Sequence, residues 1–137
     1  MTGRWLFKEE PTHYSFDRLV KDGSARWDGV ENNAALKNLR GVKKGDEIFY
    51  YHTGDEKQVV GLMKASSDAY PDPDDKEGRL TVVDVKPVRK LGRPVTLAQM
   101  KSSPRFAGFD LLRLPRLSVM PVPEKFWSEI LKTSEAG

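Results

Sequence analysis

Trp27, Asp28 and Asn32 fall within six consecutive residues, and Tyr51, His52 and Thr53 close an aromatic-rich run further along the chain. These residue types suit one task. A nucleobase or similar flat ring is held between aromatic faces and read at its edge by a few polar groups. A carboxylate accepts from an exocyclic amine, whereas an amide or a backbone N–H satisfies ring nitrogens and carbonyls. On this reading the Trp27 indole walls a pocket in a short polar loop, and Asp28 and Asn32 face that pocket or brace it. Gly29 lets the backbone turn tightly between them. The competing readings are that the indole plugs the core at a turn, that Asp28 bonds only to local backbone amides, and that His52 is a structural histidine.

Catalysis has less to draw on. His13 and His52 are the only histidines, and neither lies in a HExxH or i,i+4 arrangement. No GxSxG, Walker A or GxGxxG string occurs. Asp72, Asp74 and Asp75 resemble the start of a calcium loop, but such a loop needs glycine at its sixth position, where Glu77 stands. Zero cysteines exclude disulfides, thiolate metal sites and cysteine nucleophiles. The surviving enzymatic reading groups His52 and Ser118 with a carboxylate. The expectation is a binding module rather than an enzyme, with no metal and no cofactor.

The net charge of +3 is unevenly spread. Between Ser66 and Gly78 stand Asp68, Asp72, Asp74, Asp75 and Glu77 against Lys76 alone. Between Arg79 and Ser118 stand Arg79, Lys86, Arg89, Lys90, Arg93, Lys101, Arg105, Arg113 and Arg116 against Asp84 and Asp110. Gathered on one face, that basic excess would attract a polyanion.

The elements that must position these groups are legible from periodicity. Trp5–Phe7, Glu47–His52, Val59–Ala65, Leu80–Val88 and a run ending in Val122 are expected strands. Ser15 caps a short helix with Phe16, Leu19 and Val20 inward and Gly23 at its end. Asn32 caps a second helix, with Ala35, Leu36 and Leu39 inward. Thr96 and Gln99 form a capping box. Phe126, Trp127, Ile130 and Leu131 make one apolar stripe, either buried or free to bind a protein. Residues 66–78 are expected to be an irregular acidic loop. At 137 residues, 38% hydrophobic and 31% charged, the chain is expected to form one domain over residues 1–137. The opening MTGRWLFKEEP regains charge after three apolar residues, so no signal peptide is expected. No apolar run approaches the ~18 residues of a membrane span. With no cysteine, this predicts a cytoplasmic protein, taken as a monomer with no membrane partner.

The strings WLFKEEP, RWDGVENNAALKNLRG, KKGDEIFYYHTG, VVGLMKASSDAYPDP and RLSVMPVPEKFWSEI stand in the order of the EVE domain, and the chain resembles that family from about Gly3 to Leu131. The resemblance implies an α+β, mainly β fold: a PUA-like mixed-sheet pseudobarrel with short flanking helices. It also implies a reader of nucleic acid, with modified cytosine in DNA favoured and modified RNA or a small nucleotide-like ligand as alternatives. On that basis Trp27 and Tyr51 stack, Asp28 and Asn32 read an edge, and Lys8, Glu9, Val30, His52, Thr53 and Ser118 complete the ligand contacts. Arg89, Lys90, Arg93 and Arg116 are assigned to the phosphate backbone. The family's WLxKSEP reads here with Glu9 in place of serine. Its WDGVRNYQARN reads with Glu31, Asn33 and Ala34 in place of arginine, tyrosine and glutamine. These departures keep the pocket's aromatic and acid while adding negative charge beside it.

Overall fold

A computed structural model describes residues 2–135. The chain opens with β1 (Arg4–Glu9), which buries Leu6 and Phe7 completely. Ser15 then accepts from the Arg18 N–H at 3.0 Å and starts α1 (Phe16–Asp22), which Gly23 ends in the left-handed region at φ 80°. Phe16 and Leu19 point inward as expected, but Val20 is 53% exposed. The buried face of so short a helix is narrower than the apolar spacing suggested.

Trp27 does not sit in a loop. It closes the three-residue strand β2 (Ala25–Trp27), paired antiparallel with β6 (Thr81–Thr96) through Trp27 and Val83. Three residues are too few to display alternation, which is why the strand was invisible to periodicity. Asn32 caps α2 (Asn33–Leu39) by accepting from the Ala35 N–H at 3.0 Å. The strands β3 (Glu47–His52) and β4 (Gln58–Ala65) follow. The acidic stretch contains a short strand, β5 (Tyr70–Pro71), paired with β6. The helices α3 (Leu97–Lys101) and α4 (Asp110–Arg113), the strand β7 (Val119–Pro121) and the helix α5 (Glu124–Glu135) complete the order.

The sheet runs β2-β6-β4-β3-β1-β7, with β5 attached to β6 off this path. β1 lies parallel to β3, and the other pairs among the described residues are antiparallel. β6, at 16 residues, is much longer than the expected Leu80–Val88, continuing past Val88 through Gly92 and Pro94. A register shift against β4 between Val59 and Gly61 absorbs these breakers, a second lies beside the Met63–Pro87 pair, and such bulges bend a strand. The result is a mixed, mainly β sheet curled into a half-barrel with short helices against it. At Gly61 the approach of α1 is so close that a Cβ would stand 2.6 Å from the Phe16 ring. Phe126 and Trp127 are 3% and 2% exposed, and Trp127 stacks on Phe49 at 3.9 Å. This burial overturns the reading of the α5 stripe as a protein-binding surface.

Candidate functional site

Successive side chains of a strand point to opposite faces. Lys8 and Glu9, the last residues of β1, therefore look into different hollows, and the parallel pairing sets them beside Tyr51 and His52. The end of β1 and the end of β3 coincide, so this end of the sheet brings Lys8, Glu9, Tyr51 and His52 together.

On the Glu9 side a cavity of about 140 Å³ is lined by Glu9, His13, Tyr14, Ala25, Arg26, Trp27 and Asp28. Trp27 is 5% exposed: its ring lies 5.3 Å from Phe7 and meets Tyr50 edge-on at 5.2 Å. The wall and the plug are thus one side chain, packed into the core over most of its surface and bounding the cavity with the remainder. Tyr51 is not its aromatic neighbour; Tyr50 is. Glu9 is half-buried, its Oε1 accepting from the Glu10 N–H at 2.9 Å and lying 3.3 Å from His13 Nδ1. Among the described residues Oε2 has no protein partner. Asp28 stands exposed at the rim, and among the described residues no backbone amide donates to its carboxylate, so the local-turn alternative is not formed. Gly29 beside it takes φ 75°, the left-handed turn expected of it.

Tyr14 donates its hydroxyl to Asp22 at 2.9 Å. Burial first, then that bond, pushes the phenol up to about 12, so it remains neutral. Arg26, which also lines the cavity, pairs with Asp74 at 3.2 Å, and the Tyr70 phenol first, then Asp74 and Asp72, raises the pKa of its guanidinium.

On the Lys8 side a cleft of about 280 Å³ is lined by Lys8, Tyr51, Thr53, Gly54, Lys57, Leu97, Lys101, Leu111 and Pro115. Lys8 Nζ donates to the Pro115 carbonyl at 3.0 Å and lies 5.7 Å from the Tyr51 ring centre. Burial lowers the pKa of this ammonium. Tyr51, 3% exposed, is pushed up to about 12 by burial.

The remaining expected site residues lie elsewhere. Asn32 and Arg116 share a third hollow of about 320 Å³ with Ala34, Arg113, Leu114, Pro115 and Leu117, while Asn32 also caps α2. Val30 is buried at 8% exposure. His52 is buried and committed at both nitrogens: Nε2 accepts from the Phe16 N–H at 3.1 Å, and Nδ1 faces Glu56 at 2.9 Å. An accepting Nε2 puts the neutral ring's proton on Nδ1, which donates to Glu56. Ser118 is half-buried and accepts through its carbonyl from the Lys8 N–H at 2.9 Å. The Ser118–His52 pair that an acyl-transfer reading needs is therefore not formed. Arg89 and Lys90 pair with Glu135 at 3.8 Å and Asp17 at 3.5 Å, while Arg93 is exposed. Arg79 donates to the Glu31 carbonyl and to Asn33 Oδ1, pinning the loop where the family pattern is broken.

Sequence reasoning missed His13, Tyr14 and Arg26 in the cavity and Lys57 and Lys101 in the cleft. Only Arg26 carried a signal, its adjacency to Trp27; the others reach the site through folds of the chain that no local pattern announces. Among the described residues no group of three His, Asp or Glu side chains is placed to hold a metal ion, and no helix is long and apolar enough to cross a membrane.

Known proteins place this geometry in context. The chain is 30% identical over 169 residues to human thymocyte nuclear protein 1, covering 98% of this chain and 75% of that protein. A Rhodopseudomonas palustris protein solved by NMR matches with TM-score 0.92 and 38% identity over 97% of this chain and 93% of its own. The crystal structure of the human THYN1 protein in complex with 5-methylcytosine-containing DNA matches with TM-score 0.91 and 29% identity over 99% of both chains. The half-barrel is accordingly the PUA-like pseudobarrel that the resemblance implied. The EVE domain model matches residues 3–133, and the chain belongs to the EVE domain family.

Proposed function

We propose that this chain is a non-catalytic DNA-binding module that reads a modified cytosine in the Glu9–Trp27–Asp28 cavity. The observation that carries the reading is the meeting of an anchored indole with two carboxylates in one small hollow. Cytosine presents an exocyclic N4 amine, for which a carboxylate is the fitting acceptor. We assign that bond to Oε2 of Glu9, which is unpartnered among the described residues, with Asp28 at the rim as a second acceptor. A methyl group at C5 adds apolar surface, which Ala25 and the indole receive. A base enters such a cavity only when turned out of the stack, at a cost of a few kcal/mol that the pocket contacts offset. Nothing in this scheme transfers a group or needs a cofactor. The reading is of a monomeric module, and the cysteine-free sequence agrees with a cytoplasmic setting.

The test is a titration with a duplex carrying 5-methylcytosine, the same duplex unmethylated, and RNA of matching sequence, at two salt concentrations. The expected result is a preference for the methylated duplex that persists at the higher salt. Equal affinity for the two duplexes would overturn the reading, and tighter binding of RNA would transfer it to RNA.

A further inference from the structure

Across β1 from the acid-lined cavity, three lysines converge on one cleft. Lys8 enters from β1, Lys57 from the turn between β3 and β4, and Lys101 from the last turn of α3. No acid lines this hollow. Among the described residues, none of the three lysines forms an ion pair. Four basic residues of the second half are, by contrast, already engaged: Arg89 with Glu135, Lys90 with Asp17, Arg105 with Glu129 and Arg113 with Asp110.

Two further observations mark the cleft as built to hold something. Lys8 is half-buried with only a carbonyl and a ring as partners, an arrangement that leaves a partly desolvated cation without a counter-charge. Lys57 adopts φ 48°, the left-handed region, and it is the only non-glycine residue among those described to do so. A backbone held there against its preference requires surroundings that enforce it, and such positions concentrate at functional sites.

We infer that the cleft of Lys8, Lys57 and Lys101 binds a phosphate group, separately from the base cavity on the other face of β1. Phosphate oxygens accept from all three ammonium groups, and their charge supplies the missing counter-ion. The Thr53 hydroxyl at the edge of the cleft is turned to Glu10 Oε2 at 3.5 Å. The phosphate has two sources: the backbone of a strand whose base occupies the cavity, or a free phosphate-bearing molecule. The first source rests on the DNA-reading proposal above; the phosphate chemistry does not.

The test uses a K57A/K101A double variant, since both side chains are exposed and their removal leaves the core intact. Its melting is compared with the wild type to confirm folding. Two readouts follow: the slope of log affinity against log salt for methylated and unmethylated duplexes, and backbone amide shifts at Thr53, Lys57 and Lys101 on titrating inorganic phosphate. The expected result is a slope shallower by up to about 0.9, the release that accompanies one neutralised phosphate of duplex DNA. Both duplexes should weaken by the same factor, leaving the methylation preference unchanged. An unchanged slope, with phosphate shifts at the cleft that vanish in the variant, assigns the site to a free phosphate group. An unchanged slope with no phosphate shifts in the wild type overturns the inference. Loss of the slope in a protein with no methylation preference would keep the phosphate site and remove the base-reading proposal.

Discussion

Glu9 and Lys8 are consecutive in the chain, yet they face hollows of opposite character. The Glu9 hollow is small, walled by an indole and carries two carboxylates; the Lys8 hollow is larger and carries three lysines and no acid. On the two proposals, a single strand separates two kinds of recognition. Edge acceptors beside an aromatic wall discriminate between bases but oppose a polyanion, whereas lysines attract phosphate without reading sequence. Placing the acids and the lysines on opposite faces of β1 keeps the two from cancelling. On the proposed reading, the negative charge that Glu9 adds relative to the family pattern serves base selection on the face of β1 opposite the lysines.

The largest effect that could break this comparison is at Trp27. Because the indole packs on Phe7 and Tyr50, Trp27→Ala should cost ~3–5 kcal/mol of stability, read as a shift in the denaturation midpoint. An unchanged midpoint would mean that the indole is not the anchored wall described. Next is Glu9→Gln, which keeps the shape of the side chain and removes its charge. It should weaken binding of the methylated duplex by ~1–3 kcal/mol, the worth of a good base-edge contact. If the loss instead falls equally on an unmethylated duplex and on RNA, Glu9 contributes only a general field.

How far these hollows were legible in the sequence differs between them. Aromatic and β-branched runs disclosed β1, β3 and β4, and Ser15, Asn32 and Thr96 cap the helices they were expected to cap. The family strings disclosed the pseudobarrel. The grouping of side chains was harder to see. Tyr51 seemed the natural partner of Trp27, but the alternation of β3 turns Tyr50 toward the indole and Tyr51 toward Lys8. His52, at the strand end, satisfies the first N–H of α1, a long-range bond that no local pattern encodes. Asn32 is taken up by its cap. Lys57 and Lys101 lie 49 and 93 positions beyond Lys8 in the numbering and meet it only because β3, β4 and β6 curl.

A smaller effect is expected at Lys8, and its sign is informative. Burial lowers its pKa, so the folded protein carries a partly desolvated ammonium that the unfolded chain would solvate fully. That penalty is present throughout the neutral range and is relieved only as pH rises through the lowered value. Lys8→Met keeps the stem's packing and removes the charge. Its melting temperature at neutral pH should equal or exceed the wild type's, while its affinity for duplex DNA falls. A clear drop in melting temperature would show that the Pro115 and Tyr51 contacts outweigh the desolvation. The smallest effect sharpens the phosphate side alone: Lys101→Ala should reduce the salt slope by less than the double variant does, a fraction of the ~0.9 due to one phosphate, and leave stability unchanged.

The central claim, that a modified cytosine enters the hollow walled by Trp27, is tested most directly by the Trp27 indole N–H resonance as duplex DNA is added. The account predicts a saturable shift with the 5-methylcytosine duplex, matched by shifts at Glu9 and Asp28, and a much weaker response to the unmethylated duplex. Shifts confined to the lysine cleft with both duplexes, and a silent Trp27, would contradict it.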